Sequence, residues 1–413
     1  MNAKDAMEPS STVTQREWQT ALTGSQRKAE QLFGRSEAQQ KQFGYYHTLR
    51  EICQQPWTWG RTAERMIASR DALAGSLEGL ESLVFTGSGS SEYAGDCVCP
   101  PLRGELGITV ESIPGGTLLM QGTRALPVGR PGLLVSLARS GNSPESAAAV
   151  KILVDSEPAY RHLVVTCNES GSLAKNWRDG GRVQVIALPP ETNDESLVMT
   201  SSFTNLALAA RFLGMLDRPD HYRKLSAALG NISRALIGAY FDALAKIAAG
   251  EFRRAVFLGS GSRYAASREA SLKMLEMTSG RITTISESYL GLRHGPMSFV
   301  HEDTIVVCHL SSDPPARAYE LDLLAELDRK KLGLNKVILG ENVPAVAVRE
   351  GDLVIECPGL SALGDEEAAT VYVLVAQLLA FFRCLEEGLR PDSPSEGGVI
   401  NRVVESFPLH TLS

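Results

Sequence analysis

Short runs of apolar residues alternate with longer amphipathic stretches along most of the chain. Runs such as SLVFTG (82–87), LLVSLA (133–138) and TIVVCH (304–309) are nearly continuous in apolar character instead of alternating with polar residues. Runs of this kind are typical of strands that are buried on both faces of a parallel sheet, with helices on either side. The pattern therefore predicts an α/β fold.

The pattern occurs twice. The loop GSGS begins at Gly87 and again at Gly259, an offset of 172 residues, and the same offset relates Ser140 to Ser312. HLVVT at 162–166 corresponds to NKVIL at 335–339, again with nearly the same offset. Landmarks that recur in order at one spacing indicate internal duplication. The sequence predicts two similar domains, each a parallel sheet sandwiched between helices.

The predicted boundaries follow from the repeat. We expect a helical N-terminal extension over 1–49, the first copy over 50–220, the second copy over 221–390 and a C-terminal tail over 391–413. The tail opens with a Pro/Ser/Gly-rich segment, which favours a path across the surface.

Composition narrows the function classes. The 413 residues carry a formal net charge of −7 and 43% hydrophobic residues, which argues against binding to nucleic acids or membrane surfaces. The polar N-terminus and the absence of long apolar runs predict a cytoplasmic location. Seven scattered cysteines predict reduced thiols. Cys97 and Cys99 form the one close pair and have no partner pair at zinc spacing, so we expect no metal site.

The first glycine-serine loop has the features of an anion site. A strand that ends in Gly-Ser-Gly-Ser before a helix presents backbone N–H groups at the positive end of the helix dipole. No lysine follows as in a P-loop, and Glu92 stands where a dinucleotide fingerprint has its third glycine. Glu111 as a ribose acid keeps the dinucleotide alternative open. A single phosphate, held by short donors, fits better.

A second serine loop strengthens this interpretation. Ser140, Asn142 and Ser143 follow another strand, and Pro144 is placed like a first-turn helix proline. Adjacent parallel strands would bring both loops to one edge, where their hydroxyls could converge on one phosphate. The alternative is that Ser140 or Ser143 is merely a helix cap.

These residues resemble the sugar-isomerase (SIS) domain family of phosphosugar-binding domains, as two tandem copies over about 50–390. The run SLKMLEMTSGRITTISESYLGLRHGP (271–296) resembles the isomerase half of glucosamine-6-phosphate synthase, with altered spacing. LREICQQPWTW, LARSGNSPES, NDESLVMTSSFT and VINRVV resemble the bacterial group of galactosamine-6-phosphate deaminases and tagatose-6-phosphate ketose/aldose isomerases.

The resemblance implies roles for individual residues. Glu276 matches the carboxylate that moves a proton between C1 and C2, His294 matches the histidine that opens the ring, and Lys273 matches a lysine beside the site. Substrate and phosphate binding is implied for Ser88, Ser90, Ser91, Arg139, Ser140, Asn142 and Ser143. The C-terminal lysine of the synthase has no match, and His410 is a weak substitute.

Two of these roles also have an argument of their own. Met and Leu neighbours would raise the carboxyl pKa of Glu276 toward the working pH and suit it to act as a general base. Lys273 lies on the same helical face, where it could orient that carboxylate. The alternative is an ordinary surface ion pair. The segment 193–204 is the expected sugar-contacting loop, unless Glu195 and Thr200 are capping residues.

The two copies are not equivalent. Where the first has RSGNS the second has SSDPP, with Asp313 in the place of Gly141. Because a carboxylate beside a phosphate is unfavourable, we expect the first copy to bind the phosphate and the second to supply Glu276 and His294. A site between copies or subunits in turn predicts a homodimer or a higher homo-oligomer.

The resulting prediction is an enzyme that acts on an amino-hexose 6-phosphate, with galactosamine 6-phosphate favoured, and releases ammonia and a keto-hexose 6-phosphate. The phosphosugar is the expected partner and no cofactor is expected. Two alternatives stay open: a plain ketose/aldose phosphate isomerase and a non-catalytic phosphosugar sensor.

Overall fold

The computed structural model describes residues 13–177, 181–405 and 407–410. Residues 1–12 of the predicted extension and 411–413 of the predicted tail lie outside the described residues. The chain divides into two compact units, each with one sheet. What we call the first unit comprises the described residues of Thr58–Ser226 and those from Gly398 on. The second unit comprises the described residues up to Trp57 and Ala227–Gly397.

Within the described residues, a series of helices precedes the first strand. Two of them begin with a capping box, Thr14 with Glu17 and Ser36 with Gln39, in which side chain and backbone satisfy each other's hydrogen bonds. These helices are α1 Gln15–Ser25, α2 Arg27–Phe33, α3 Glu37–Phe43, α4 Tyr46–Ala68 and α5 Arg70–Leu77.

The first unit contains a five-stranded parallel sheet. Its strands are β1 Ser82–Gly87, β2 Thr109–Pro114, β3 Gly132–Ala138, β4 Tyr160–Thr166 and β5 Val183–Ala187. Its helices are α6 Ser90–Leu106, α7 Gly115–Gln121, α8 Pro144–Ser156, α9 Ser172–Lys175 and α10 Ser201–Arg211. The strand order is β2-β1-β3-β4-β5. Every residue of β1 and β3 is buried, as their continuous apolar runs predict.

The second unit repeats this architecture. After the long helix α11, Pro219–Ala248, the strands are β6 Arg254–Leu258, β7 Thr283–Glu287, β8 Thr304–His309, β9 Asn335–Gly340 and β10 Leu353–Glu356. The helices are α12 Ser262–Met277, α13 Tyr289–Leu292, α14 Pro314–Arg329 and α15 Asp365–Glu386. The order β10-β9-β8-β6-β7 is that of the first sheet read from the other end. The predicted α/β duplication is confirmed.

Short 3-10 helices complete the connections in both units. They are Gly122–Ala125, Pro190–Thr192, Phe212–Gly214, Pro296–Phe299, Ala345–Ala347 and Glu396–Gly398.

Helix α15 forms much of the core of the second unit. Its length and its mean hydropathy of 1.8 would suffice for a membrane span, but 94% of its apolar window is buried inside the protein. An apolar helical stretch that is covered by the rest of the protein is typical of a core helix.

All seven cysteines are buried and free, Cys97 and Cys99 included. Burial raises the pKa of Cys53, Cys99 and Cys167 to about 12, which keeps these thiols protonated and unreactive. The prediction of reduced, structural cysteines therefore agrees with the structure.

Candidate active site

The first glycine-serine loop makes a tight passage from β1 into α6. A Cβ on Gly87 would lie 2.7 Å from Ser91 Cβ, so only glycine allows the strand to approach the helix this closely. Gly89 has φ +56° and ψ −126°, a conformation that other residues rarely adopt. Ser90 and Ser91 open the helix, and both are buried. The loop thus leads into two serines that form the first turn of α6, at its positive end.

The second serine loop follows the neighbouring strand. Ser140 Oγ accepts a hydrogen bond from the Asn142 backbone N–H at 3.2 Å, and Asn142 Oδ1 accepts one from Ser172 N at 2.9 Å. Ser143 is the N-cap residue of α8, but its side chain makes no capping hydrogen bond. Position alone would class Ser143 as a cap, whereas its hydroxyl does not act as one.

Both loops lie at the same edge of the first sheet. Strands β1 and β3 are direct parallel neighbours, with Thr86 beside Ser136, so their carboxyl ends lie side by side. This brings Ser88, Ser90 and Ser91 to the same edge as the turn at 140–143. Ligands of open α/β sheets bind at this edge.

Arg139 begins the second loop, yet its side chain turns toward the backbone of two other segments. The buried guanidinium donates to Leu197 O at 2.8 Å, to Ser196 O at 3.4 Å and to Arg402 O at 2.5 Å. Arg402 in turn donates to Asp194 O and to Asn193 Oδ1, the latter at 2.8 Å. The two arginines together tie the C-terminal segment to the loop that precedes α10.

The segment 193–204, expected to contact the sugar, is organised by a residue that sequence reasoning missed. The buried carboxylate of Asp194 accepts hydrogen bonds from the backbone N–H groups of Thr200, Ser201 and Ser202, at 2.7–3.0 Å, and from the hydroxyls of Thr200 and Ser202. Asp194 therefore caps α10. The motif NDES, with acid before a Thr-Ser-Ser run, carries the signal for this capping.

Lys273 and Glu276 form a tight pair on α12. Lys273 Nζ lies 2.5 Å from Glu276 Oε2 and 3.4 Å from Glu269 Oε1. The Lys273 side chain is 0% exposed, whereas that of Glu276 is 24% exposed. The alternative of an ordinary surface pair is therefore wrong: a buried ammonium holds a carboxylate that solvent can still reach. The sequence predicts apolar surroundings for the Glu276 carboxyl, whereas the structure gives it an ion pair with Lys273.

His294 lies in the turn after α13 and is exposed. Its backbone N–H donates to Gly291 O at 3.0 Å, which fixes the turn, while its imidazole projects from it without a hydrogen bond inside the described part of the chain. His410 of the tail is exposed as well.

The second unit's glycine-serine loop and Glu276 lie at opposite ends of α12. The loop adjoins Ser262 at the first turn, and Glu276 lies in the last turn. Fourteen residues of α-helix span about 21 Å, more than the length of a hexose phosphate. Glu276 and the loop of its own copy therefore cannot contact the same sugar phosphate.

No protein-family model matches the chain. AgaS of Streptomyces coelicolor is 38% identical over 379 residues, which covers 89% of this chain and 96% of that protein. The Escherichia coli protein named D-galactosamine-6-phosphate deaminase AgaS is 34% identical over 382 residues, 88% of this chain and 95% of that one. This chain belongs to the AgaS family.

Solved structures agree with AgaS membership. The crystal structure of tagatose-6-phosphate ketose/aldose isomerase from Escherichia coli superposes with a TM-score of 0.80 at 31% identity, covering 88% of this chain and 96% of that one. The C-terminal domain of glucosamine-fructose-6-phosphate aminotransferase from Francisella tularensis, at 17% identity and TM-score 0.72, shares the fold. The predicted SIS resemblance and membership of this amino-sugar-phosphate deaminase/isomerase enzyme group are confirmed.

Proposed function

We propose that this AgaS-family enzyme converts D-galactosamine 6-phosphate to a keto-hexose 6-phosphate and ammonia. The observation that carries the proposal is the identity of 34–38% over nearly the whole chain with AgaS relatives, one of which is named D-galactosamine-6-phosphate deaminase. The sugar ring opens first. A proton then moves from C2 to C1, which converts the C2 amine to an imine, and water adds at C2 and displaces ammonia.

In this proposal Glu276 takes the proton from C2 and returns it at C1. The geometry that supports this role is a carboxylate within reach of solvent, held at 2.5 Å by a buried ammonium. Lys273 orients the carboxylate and balances its charge. His294, exposed on its turn, moves the proton that opens the ring.

The phosphate is assigned to the first copy. Ser88, Ser90 and Ser91 would bind it from one loop, and Ser140, Asn142 and Ser143 from the other. Support comes from the shared edge of the two loops and from the Ser143 hydroxyl, which is not used as a cap. Arg139 is assigned a supporting role, because backbone carbonyls receive its guanidinium hydrogen bonds.

The test is ammonia release from D-galactosamine 6-phosphate and D-glucosamine 6-phosphate by the wild type and by Glu276→Gln. We expect release from the galacto sugar by the wild type and a loss of about 1000-fold in kcat for the variant, with the keto-hexose phosphate formed in equal amount. Equal release by both proteins would remove Glu276 from the mechanism, and release from the gluco sugar alone would overturn the substrate assignment.

A plain ketose/aldose isomerase is the second candidate, favoured by the likeness to the Escherichia coli tagatose-6-phosphate isomerase structure. It predicts no ammonia, but exchange of solvent deuterium into C1 or C2 of tagatose 6-phosphate. Phosphosugar binding without either reaction would leave a sensor.

We further propose a homodimer in the cytoplasm in which His294 serves the partner's substrate. The matched test mixes Glu276→Gln with His294→Ala protein after dissociation and reassociation. If His294 acts across subunits, mixed dimers contain one site with both wild-type residues and regain activity. If both residues act in one subunit, the mixture stays inactive.

A further inference from the structure

The second copy keeps the backbone of an anion loop and changes its side chains. Gly261 has φ +57° and ψ −132°, nearly the values of Gly89 in the first copy. The next helix starts with Ser262 as α6 starts with Ser90. The two copies differ at the next residue. At the offset of 172 residues, the second copy has Arg263 where the first copy has Ser91.

The Arg263 side chain is buried and contacts three other segments of the second unit. It is 2% exposed, and Nη1 donates to His309 O, at the end of β8, at 2.7 Å. Nη2 lies 3.1 Å from Glu320 Oε1 and 3.1 Å from Asp365 Oδ2. A buried guanidinium of this kind requires anions around it.

Asp365 provides one of those anions. Its Oδ1 accepts hydrogen bonds from Ser312 N and from Ser312 Oγ, both at 2.7 Å, and its Oδ2 accepts one from Ser311 Oγ. Two hydroxyls, a backbone amide and a guanidinium thus converge on one carboxylate. Donors of these types are the ones that bind a free oxyanion at the edge of a sheet.

The contacts of Asp365 do not serve its own helix. The carboxylate is in the first turn of α15, but the serines that it contacts are 53 and 54 residues away in the sequence. Gly364, not Asp365, is the N-cap residue, and it has no side chain that could cap the helix. Helix capping therefore does not explain the position of this carboxylate.

We propose that Arg263, Ser311 and Ser312 form a second oxyanion cradle whose anion is the protein's own Asp365. The cradle takes a small monovalent oxyanion. Glu320 supplies a second negative charge to Arg263, which disfavours a dianion such as phosphate. Asp365 closes the cradle permanently, so the second copy binds no external anion while this side chain is present. This proposal is independent of the enzymatic reaction.

The test removes the internal anion and offers one from solution. Asp365→Ala opens a space of about one carboxylate, next to a small cavity that Leu310, Ser312 and Tyr372 help to line. In chloride we expect its Tm to fall by about 10 °C, since an ion-pair partner of a buried arginine is lost. Sodium formate at equal ionic strength should restore most of this loss with a saturable concentration dependence.

The matched control is Asp365→Asn, which has nearly the same volume and no charge. We expect a comparable loss of Tm but no recovery with formate, because the amide still occupies the cradle. The wild type should likewise show no formate-dependent rise in Tm. The proposal would be overturned if formate raised the Tm of all three proteins by the same amount. It would also be overturned if Asp365→Ala had the Tm of the wild type in chloride.

If Asp365→Ala is recovered only as unfolded protein, its refolding from denaturant is compared in formate and in chloride. Refolding in formate alone supports an internal anion that formate replaces. Failure in both salts, or equal success in both, would overturn it.

Discussion

The two copies have the same strand order but different side chains at corresponding positions. In the first copy, small serines open the helix after the glycine loop, and the next loop leaves the Ser143 hydroxyl without a capping bond. In the second copy, Arg263 and Asp365 occupy the corresponding edge. At the other end of the same helices, the second copy has the candidate catalytic side chains and the first copy does not. Lys273 and Glu276 of α12 correspond, at the offset of 172, to Pro101 and Gly104 of α6.

Under the proposed function, the two copies supply different parts of one reaction. Each copy retains the sheet and the glycine-mediated turn, which are needed for packing. They differ in their side chains: α6 has Pro101 and Gly104 at the positions of Lys273 and Glu276, and the second copy has Asp365 in its cradle. In the proposed function a few side-chain differences assign the steps, because the two copies share one backbone architecture.

The largest expected effect concerns the helix end. Glu276→Gln should lower kcat by about 1000-fold while leaving the affinity for the phosphosugar nearly unchanged, because only proton transfer is removed. The matched change in the first copy, Gly104→Ala, faces open space and should leave kcat within about two-fold. Steady-state ammonia release measures both. A comparable loss in Gly104→Ala would show that the first copy's helix end is needed for the reaction as well.

The next largest effect concerns the serine loops of the two copies, at 140–143 and at 311–312. Ser140→Ala with Ser143→Ala should raise KM about 100-fold, since two hydrogen bonds to a charged phosphate are lost. Ser312→Ala in the second copy should leave KM within about two-fold and lower Tm instead, because its hydroxyl binds Asp365. KM and Tm measured on the same preparations separate the two outcomes. A raised KM in Ser312→Ala would contradict the assignment of the phosphate to the first copy.

Each sheet also buries one histidine, and both predict acid sensitivity. Burial lowers the pKa of His162 on β4 to about 4 and that of His309 on β8 to about 3. The unfolded chain takes up these protons near pH 6.5, whereas the folded chain excludes them. Stability is therefore present above pH 6.5 and is lost as the pH falls toward the folded pKa. Between pH 6.5 and 5 the loss is about 2 kcal/mol for each histidine.

Denaturant unfolding at several pH values measures this loss. His162→Leu should remove about half of the pH dependence, and His309→Leu the other half. A pH dependence that neither variant changes would contradict the assignment.

The smallest effect compares two helix starts. Asp313 caps α14 by accepting a hydrogen bond from Ala316 N at 3.2 Å, so Asp313→Ala should cost about 1 kcal/mol of unfolding free energy. Ser143 has the N-cap position of α8 without a capping bond, so Ser143→Ala alone should cost less than about 0.5 kcal/mol. Chemical denaturation resolves the difference, and an equal cost would show that Ser143 does cap its helix.

The duplication and the two serine loops could be predicted from sequence because they rest on local signals, namely apolar runs, glycine turns and a fixed offset. The burial of Lys273 could not, because a lysine and a glutamate three residues apart look the same on an exposed helix and on one packed against α15. The sequence also directed attention to Asp313 as the acid that distinguishes the second copy. The structure gives Asp313 a capping role, and the carboxylate on the second cradle is that of Asp365.

A long-range contact determines the position of the Arg139 side chain. The resemblance predicts a place for Arg139 in the substrate site, whereas its partner Arg402 lies 263 residues away. Nothing in either local sequence indicates the other. Asp194 is different, since NDES before TSSF is a recognisable capping pattern that could have been identified without a structure.

The link between Arg402 and the loop at Asp194 has a consequence for biosynthesis. The two residues are 208 positions apart, and a ribosome that adds 5–20 residues per second needs about 10–40 s to make the second after the first. During that time Arg139 has no Arg402 carbonyl to bind, so the loop before α10 is incomplete in every nascent chain. Chains that stall or are cleaved before residue 402 should therefore present this loop to chaperones and proteases.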